Sequence, residues 1–231
     1  MKAALLGDIH GNSPALDAVL AAAGAEGVER LIVTGDLVGY YRDARGVLDR
    51  LRDWPMTCVR GNHEDMVEAA AADPAVLDRV RRKYGGGVDA ALALPDADRA
   101  WLRALPVTAT IELDGVRVLV AHGAPWDTDQ YIYPNADEEL VARLDDYEAD
   151  VIVLGHTHWR KVWTRGDRTI VNPGSVGQPR DRMPGAAWAL LDTETRKIDL
   201  RTESYDIERF RRETAAQEPD LPYLSEVLVR T

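Results

Sequence analysis

The chain has 231 residues, enough for one large domain with a substantial core or for two small ones. Its 28 Lys and Arg against 39 Asp and Glu give a formal net charge of −11, which argues against non-specific binding to nucleic acid or to an anionic membrane. Because no apolar run reaches about 18 residues and no secretory signal opens the sequence, we expect a cytoplasmic protein that does not span a membrane.

The first half of the chain alternates short apolar runs with helical patterns, which is typical of successive βα units. Ser13 and Pro14 suit the N-cap and the first residue of a helix, and Gly24 suits its end. The stretch that follows Glu64, up to about residue 105, is also predicted to be helical, with breaks at Pro74, at Gly85-Gly86-Gly87 and at Pro95. The predicted strands are residues 3–6, 31–33 and 56–59, and the first two predicted helices are residues 14–23 and 44–54.

The second half of the chain predicts hairpins and further strands. Asp114-Gly115 and Gly166-Asp167 are turn sequences between apolar or alternating runs. Leu140, Val141 and Leu144 predict a helix between them, and a charged helix begins near Asp206. The predicted strands are residues 107–113, 116–121, 151–154, 169–171, 186–191 and 197–203.

The sequence contains no low-complexity linker and no internal repeat. We therefore expect one domain over residues 1–231, in which about 206–231 form a C-terminal helix and a surface tail. Early βα units followed by hairpins predict an α/β fold with mixed sheets and helices outside them. In such open sheets, ligands bind beyond the carboxyl ends of the strands.

Several conspicuous side chains have an ordinary structural interpretation. Cys58 is the single cysteine, so no intrachain disulfide can form, and its apolar neighbours predict a small core residue rather than a nucleophile. The loop of residues 124–135 contains three aromatic residues, including Tyr131 and Tyr133, which either flank a substrate or cover the core. Residues 180–182 are charged, and we expect them to face solvent.

Polar side chains follow the predicted strands at the ends where ligands bind. Gly155-His156-Thr157-His158 follows the 151–154 run, and residues i and i+2 of extended backbone point the same way, so both imidazoles can face one locus. All five histidines of the chain stand just after apolar runs of this kind. The donors collected in this way are Asp8, His10, Asp36, Asn62, His63, His122, His156 and His158.

This set of donors predicts a site for metal ions. Carboxylate, imidazole and amide oxygen together suit divalent Mn, Fe, Co, Ni or Zn. Leaving His63 aside, seven ligands are too many for one tetrahedral zinc, but they fit two ions that share a bridging carboxylate. Two ions about 3.5–4 Å apart are the usual device for attack on phosphorus, because they generate hydroxide near neutral pH and neutralise phosphoryl charge. We expect two divalent metal ions as cofactors, with manganese as the first choice.

The order of the motifs resembles the calcineurin-like metallophosphoesterase superfamily. The resemblance extends from residue 1 to about residue 180, and it implies a four-layer α/β/β/α sandwich of two mixed sheets flanked by helices. A later block, Asn172-Pro173-Gly174-Ser175-Val176-Gly177, is similar to the small bacterial and archaeal branch. The motif blocks in order are Gly7-Asp8-Ile9-His10-Gly11-Asn12, Gly35-Asp36, Gly61-Asn62-His63-Glu64, Ala121-His122-Gly123 and Gly155-His156-Thr157-His158.

The resemblance also implies a role for each site residue. His63 matches the catalytic histidine, which protonates the leaving oxygen or stabilises its charge. Arg60 matches a phosphate-binding arginine of the Ser/Thr phosphatase branch, with a surface salt bridge as its alternative role. That branch has an aspartate oriented toward the catalytic histidine where this chain has Gly39. The implied ligands are Asp8, His10 and His158 for the first ion, Asn62, His122 and His156 for the second, and Asp36 as the bridge.

The expected function is hydrolysis of a phosphodiester or phosphomonoester, with a small molecule or nucleotide favoured, by in-line attack of a metal-bridging hydroxide. One alternative is a non-catalytic scaffold that retains the fold, although such proteins typically lose ligands that this chain keeps. Another is an amidohydrolase-type barrel, which needs eight βα units and about 250 residues. Extended nucleic acid is not an expected partner, and a homo-oligomer remains open. We expect substrate choice to depend on residues 40–42, 81–87 and 124–135.

Overall fold

The computed structural model describes all 231 residues and contains two five-stranded sheets. The strands are β1 Lys2–Leu6, β2 Arg30–Val33, β3 Met56–Cys58, β4 Thr108–Leu113, β5 Val116–Ala121, β6 Val151–Val153, β7 Lys161–Arg165, β8 Arg168–Asn172, β9 Ala186–Asp192 and β10 Lys197–Glu203. The α-helices are α1 Ser13–Ala25, α2 Ala44–Leu51, α3 Asn62–Ala72, α4 Pro74–Tyr84, α5 Gly87–Leu92, α6 Asp96–Ala104, α7 Glu138–Ala142, α8 Ile207–Gln217 and α9 Tyr223–Glu226. Short 3₁₀-helices cover Arg143–Asp146 and Val227–Val229.

Both sheets mix parallel and antiparallel strands. In the first sheet, ordered β10-β9-β1-β2-β3, the strands β1, β2 and β3 are parallel and β9 is antiparallel to its two neighbours. In the second sheet, ordered β4-β5-β6-β8-β7, the three central strands are parallel and both edge strands are antiparallel. The predicted hairpins at Asp114-Gly115 and Gly166-Asp167 are confirmed.

The two sheets pack face to face, and helices cover their outer faces. Successive residues of β1 face different cores, because side chains alternate across a strand. Leu5 packs with Val120 and Val153 between the sheets, whereas Leu6 packs with the helices α1 to α6. On the outer face of the second sheet, Ile152 packs against α7 and the 124–135 loop. The predicted α/β/β/α sandwich is therefore confirmed, and burial of both faces explains why the strands read as continuous apolar runs.

The first helix begins one residue earlier than its sequence suggests. Ser13 was expected to be the N-cap, but it is already helical, and Asn12 caps the helix instead. The side-chain oxygen of Asn12 accepts a hydrogen bond of 3.2 Å from the Ala15 amide. Because Asn and Ser are similarly good N-caps, their order in the sequence did not separate them.

The prediction that the last dozen residues form a surface tail is wrong for four of them, which are buried. Leu224, Val227 and Leu228 are buried in a small core that also contains Tyr40 and Tyr41. Their spacing of three and one covers a single turn, too little for a helical pattern to be recognised. The end of the chain therefore packs behind the loop that follows β2.

The structure bears on the expected role of Cys58 and on the expectation that the chain does not span a membrane. Cys58 is buried, and burial raises the pKa of its thiol well above the usual value, so the prediction of a structural core residue is confirmed. No helix has both the length and the apolar character that crossing a bilayer requires.

Candidate metal centre

The structure brings the seven expected metal ligands together at one edge of the two sheets. This edge is formed by the carboxyl ends of the parallel strands, where ligands bind in open α/β sheets. Most of these side chains are completely buried, and Asn62 is half-buried at the start of α3. The seven residues follow β1 (Asp8, His10), β2 (Asp36), β3 (Asn62), β5 (His122) and β6 (His156, His158).

The first group of donors comes from the loops after β1 and β6. His158 Nε2 lies 3.3 Å from Asp8 Oδ1 and 3.1 Å from His10 Nε2. His10 Nε2 in turn lies 4.0 Å from Asp8 Oδ1. Since the three donor atoms lie within coordination range of a common point, Asp8, His10 and His158 form a candidate metal-binding cluster.

The second group surrounds His122. Its Nε2 atom lies 3.0 Å from Asn62 Oδ1 and 3.1 Å from His156 Nδ1. Asp36 belongs to both groups, because its Oδ2 atom is 3.4 Å from His122 Nε2 and 3.6 Å from His10 Nε2. A single carboxylate oxygen between two sets of nitrogens is the arrangement expected of a bridging ligand.

The imidazoles are oriented as metal ligands usually are. His10 Nδ1 donates to Val38 O at 3.1 Å, His122 Nδ1 to Thr34 O at 2.8 Å, and His158 Nδ1 to Gln178 O at 2.6 Å. A carbonyl can only accept, so each Nδ1 carries a proton, and each Nε2 presents a lone pair toward the cluster when the ring is neutral. The facing Nε2 atoms of His10 and His158 repel one another unless a cation or a proton lies between them. The donor set and its outer partners thus fit divalent metal ions.

The electrostatics of the cluster also favour bound cations. Burial lowers the pKa of His63 to about 4 and that of His156 to about 4. Burial also disfavours a charge on His122, but the carboxylates of Asp36 and Asp8 outweigh it and raise the pKa of His122 to about 10. Buried carboxylates need positive charge beside them, which a proton on His122 supplies and which metal ions would supply in its place.

The backbone of the cluster is strained. Five of the expected ligands have positive φ, a region that costs a non-glycine residue about 1–3 kcal/mol. The expectation that His156 and His158 lie on extended backbone is therefore wrong, since both are in left-handed conformation and their loop turns toward the cluster. The φ values are 54° for Asp8, 53° for His10, 53° for Asp36, 66° for His156 and 59° for His158.

Glu64 fixes the loop that presents Asp36. Its Oε2 accepts from the Asp36 and Gly61 amides at 2.9 and 2.8 Å, and its Oε1 accepts from the Leu37 amide at 2.8 Å and the Val38 amide at 3.4 Å. Burial and the neighbouring Asp36 raise the pKa of Glu64 to about 7, and these amides act in the opposite direction. Glu64 ends the Gly61-Asn62-His63-Glu64 motif, but this role could not be recognised from the sequence.

The residues of the Asn172–Gly177 block hold two of the ligand loops. Asn172 Nδ2 donates to Gly155 O at 2.7 Å and to Thr157 Oγ1 at 3.0 Å. Ser175 Oγ donates to Asp8 O at 2.7 Å. The block therefore connects the loop after β1 with the His156 and His158 loop.

His63 lies beside the metal-ligand cluster, and Arg60 does not. The His63 ring packs against His10 and Tyr40, with centroid distances of 4.6 and 4.8 Å, and it lines the cavity over the cluster. Arg60 Nε lies 2.9 Å from Asp65 Oδ1, and its Nη1 donates to a backbone carbonyl at 3.1 Å. Arg60 is not among the residues that line the cavity, so the structure places it in its alternative role as a salt-bridge partner.

A positively charged side chain that was not among the expected site residues lines the cavity over the cluster. Arg180 lines it, and the expectation that residues 180–182 all face solvent is wrong. Asp181 also turns inward, where it pairs with Arg160, and both side chains are only 7% exposed. One signal pointed to this outcome: Arg180 ends a stretch from residue 169 that contains no charged residue, which is not the pattern of a solvated face.

Three tyrosines complete the cavity wall. Tyr40, Tyr84 and Tyr131 come from the three segments in which we expected substrate choice to lie. The Tyr131 ring lies 4.0 Å from the His156 ring and stacks on Tyr133 at a centroid distance of 5.4 Å. Of the loop aromatics, Trp126 instead packs with the outer core of the second sheet.

Comparison with known proteins assigns this arrangement to a family. Residues 1–196 match the model of the calcineurin-like phosphoesterase superfamily domain. The chain belongs to this superfamily. The predicted resemblance is thus confirmed, and so is the prediction of a metal-dependent phosphoric ester hydrolase at the level of the family.

The relatives of this metallophosphoesterase include bacterial and archaeal proteins. An uncharacterised protein of Methanocaldococcus jannaschii is 27% identical over 229 residues, covering 89% of this chain and 88% of the relative. Phosphodiesterase YfcE of Escherichia coli is 26% identical over 212 residues, covering 86% of this chain and 91% of the relative. The crystal structure of a metallophosphoesterase from Sphaerobacter thermophilus superposes with a TM-score of 0.80 at 26% identity, covering 100% of this chain and 99% of the other.

Proposed function

We propose that this protein is a dinuclear metal-dependent phosphoesterase that hydrolyses a phosphodiester or phosphomonoester of a small molecule or nucleotide. The observation that carries the proposal is the position of Asp36 Oδ2, between Nε2 of His10 at 3.6 Å and Nε2 of His122 at 3.4 Å. A mononuclear site would need neither two groups of imidazoles nor a carboxylate shared between them.

Each group of donors would hold one divalent ion, with Asp36 shared. When bound, a pair of such ions lowers the pKa of a water molecule and neutralises charge on the phosphoryl oxygens. The protein keeps the ligand atoms in place through the carbonyl partners of three imidazoles and through Glu64, so little reorganisation is needed on binding. In this proposal one ion is held by Asp8, His10 and His158 and the other by Asn62, His122 and His156.

His63 is proposed to act on the leaving oxygen. Its ring lines the same cavity as Asp36 and Asn62, and its backbone amide donates to Asp36 Oδ1 at 2.8 Å. This hydrogen bond ties the backbone of His63 to the proposed bridging carboxylate, and the ring lies beside the cluster. A hydrogen bond or proton donated from this imidazole stabilises the charge that develops on the leaving oxygen.

The tyrosines at the cavity favour a substrate with an aromatic group. Tyr131 and Tyr133 are 43% and 39% exposed, and their rings stack with an interplanar angle of 7°. An exposed pair of stacked rings beside a phosphoesterase centre offers a surface on which a nucleobase or aryl group can stack. The acidic charge of the chain disfavours a long polynucleotide, so a mononucleotide or small phosphodiester fits best.

The proposal also covers the identity of the metal ion, the cellular location and the oligomeric state. Manganese is the first ion to test, and iron, nickel, cobalt and zinc suit the same donors. We propose that the protein acts in the cytoplasm as a single-domain enzyme, either alone or as a homo-oligomer.

The proposal is tested by metal-dependent turnover. Hydrolysis of bis(p-nitrophenyl) phosphate and p-nitrophenyl phosphate is measured with added Mn²⁺ and again after chelation. We expect turnover that chelation abolishes and Mn²⁺ restores, and a loss of about 10²-fold or more in Asn62→Ala and His156→Ala. The control is Asp53→Asn, an exposed residue remote from the cluster, which should retain the wild-type rate. If neither ester is hydrolysed and no metal is bound, the scaffold alternative replaces the proposal.

A further inference from the structure

Arg180 is a largely buried cation whose partners in the protein are all neutral. Its Nη2 donates to Tyr40 Oη at 2.8 Å and to Gln178 Oε1 at 2.8 Å, and its Nε donates to Gln178 Oε1 at 3.2 Å. None of these hydrogen bonds goes to a carboxylate. Because burial of a cation without a counterion is unfavourable, an anionic ligand at this position would stabilise Arg180.

The position of Arg180 is tied to a ligand loop. Its backbone amide donates to His158 O at 3.3 Å, and His158 Nδ1 donates to the Gln178 carbonyl at 2.6 Å. Gln178 is itself completely buried. The guanidinium is thus held at a fixed place relative to the imidazole of His158, which is one of the expected metal ligands.

Tyr40 supports the guanidinium from the other side. The Arg180 Cζ atom lies 5.5 Å from the centroid of the Tyr40 ring. Burial raises the pKa of the Tyr40 phenol, so the hydroxyl stays neutral and accepts the bond from Arg180 without cancelling its charge. Together Tyr40 and Gln178 occupy the Nε and Nη2 side of the guanidinium. Its Nη1 donates no hydrogen bond within the protein, which leaves two N–H groups for a ligand.

The positive charge that lines the cavity favours an anionic ligand. Arg180 lines the cavity together with Asp36, His63 and His158. The backbone hydrogen bond between Arg180 and His158 keeps this positive charge beside the metal-ligand cluster. Divalent ions on the two carboxylates of the cluster would leave the cavity with excess positive charge, and a tetrahedral oxyanion balances that charge.

We propose that Arg180 binds the phosphoryl group of the substrate through its free Nη1 edge, and that Gln178 and Tyr40 are the residues that position it. The inference deepens the proposed function and rests on it, because the anion is the phosphate ester of the same site. It moves the role of phosphate-binding arginine from Arg60, which is paired with Asp65, to a residue 120 positions later in the chain.

The test uses inorganic phosphate as the probe and the Mn²⁺-loaded full chain as the receptor. Binding of orthophosphate is measured by calorimetry for the wild type and for Arg180→Gln, with metal content determined for each sample. We expect Arg180→Gln to bind orthophosphate about 10- to 100-fold more weakly, the range for one charge-assisted hydrogen bond pair, with unchanged metal content. Arg180→Lys should recover part of the affinity, because it restores the charge but not the fork.

Two further arginines serve as comparisons. Arg182→Gln changes an exposed residue two positions away and should bind orthophosphate as the wild type does. Arg60→Gln tests the earlier assignment directly. If Arg60→Gln loses affinity and Arg180→Gln does not, the inference is overturned and the assignment to Arg60 stands. A loss of metal from Arg180→Gln would also overturn it, because Arg180 would then act on the ligands rather than on the anion.

A variant that keeps Arg180 tests the same inference even if the Arg180 variants do not fold. Tyr40→Phe retains the buried ring and removes only the hydroxyl that accepts from Arg180. We expect a weaker but measurable loss of orthophosphate affinity, about 3- to 10-fold, with kcat/KM falling mainly through KM. An unchanged affinity in both Tyr40→Phe and Arg180→Lys overturns the inference. If the wild type itself neither binds Mn²⁺ nor turns over esters, the proposed function fails, and that outcome is distinct from a wild-type-like Arg180→Gln in an active enzyme.

Discussion

The Nδ1 atom of His63 faces Gly39 so closely that a Cβ added to Gly39 would overlap it and would lie 2.8 Å from Nδ1 of His10. Gly39 also has a φ of 136°, which L side chains rarely adopt. The Ser/Thr phosphatase branch has an aspartate at this position, and no such side chain fits here. His63 Nδ1 has no hydrogen-bond partner, so packing against His10, Tyr40 and Tyr84 orients the ring.

Substitution of Gly39 should therefore disable His63. We expect Gly39→Ala to reduce kcat by about 10²- to 10⁴-fold, the range for loss of a general acid, because the new Cβ displaces the imidazole. Steady-state kinetics with Mn²⁺ check this, and His63→Ala should show a loss of similar size. The control is Gly24→Ala in α1, where an added Cβ meets nothing within 4 Å and full activity should remain. A Gly39→Ala enzyme with wild-type kcat would contradict the packing account.

Glu64 should matter for stability out of proportion to its size. In the wild type, backbone amides donate to both oxygens of the Glu64 carboxylate. Glu64→Gln keeps the shape of the side chain but replaces one of these oxygens with an NH₂ group, which cannot accept from the amides. We expect unfolding free energy to fall by about 1–3 kcal/mol per unpaired buried amide, measured by urea denaturation. Glu68→Gln on the same helix, whose carboxylate pairs with a half-exposed arginine, should cost less than about 1 kcal/mol. Equal effects of the two substitutions would show that Glu64 does not hold the Asp36 loop.

The stacked tyrosines should select substrates by their aromatic part. We expect Tyr131→Ala to raise KM for aryl and nucleotide esters by about 5- to 100-fold, the loss associated with one stacked base. Hydrolysis of an alkyl phosphate ester should change little, and Tyr131→Phe should behave like the wild type because it retains the ring. A uniform loss over aryl and alkyl esters would assign Tyr131 to the integrity of the site instead.

Metal binding should stabilise the whole protein. The Nε2 atoms of His10 and His158 face one another at 3.1 Å, and a cation between them removes the repulsion of their lone pairs. At a free metal concentration of 100 times Kd, the gain is about 2.7 kcal/mol, which corresponds to a rise in Tm of about 5–10 °C for a chain of this size. Thermal unfolding with Mn²⁺ and with chelator measures the difference. Identical melting curves would mean that the cluster holds no tightly bound ion.

The sequence predicted the site well where a potential metal ligand directly follows an apolar run that forms a strand. The strands and the ligand loops could be predicted because each donor follows an apolar run, as Asp8 follows residues 3–6 and His156 follows residues 151–154. The left-handed backbone of the ligands could not be predicted, because positive φ is uncommon in non-glycine residues, even in Asp and His, where it is enriched, and the hydrogen bonds of the folded loops impose it.

The sequence was least informative where a side chain depends on distant partners. The uncharged stretch before Arg180 is only a weak signal of burial, and the hydroxyl that accepts its hydrogen bond belongs to Tyr40, 140 residues earlier. Arg60 matches the position of a phosphate-binding arginine in the Ser/Thr phosphatase branch, but its guanidinium forms a salt bridge with Asp65 in α3. The local sequence around Leu224 and Leu228 does not predict burial, because the residues that bury them lie in the loop after β2.

The number of metal ions per chain tests the central claim most directly. The measurement is a crystal structure of the Mn²⁺-loaded protein with anomalous diffraction, supported by elemental analysis of the wild type and Asp36→Asn. The account predicts two ions about 3.5–4 Å apart on either side of Asp36, and fewer than two per chain in Asp36→Asn. A single ion in the wild type, or two ions that do not share Asp36, would contradict it.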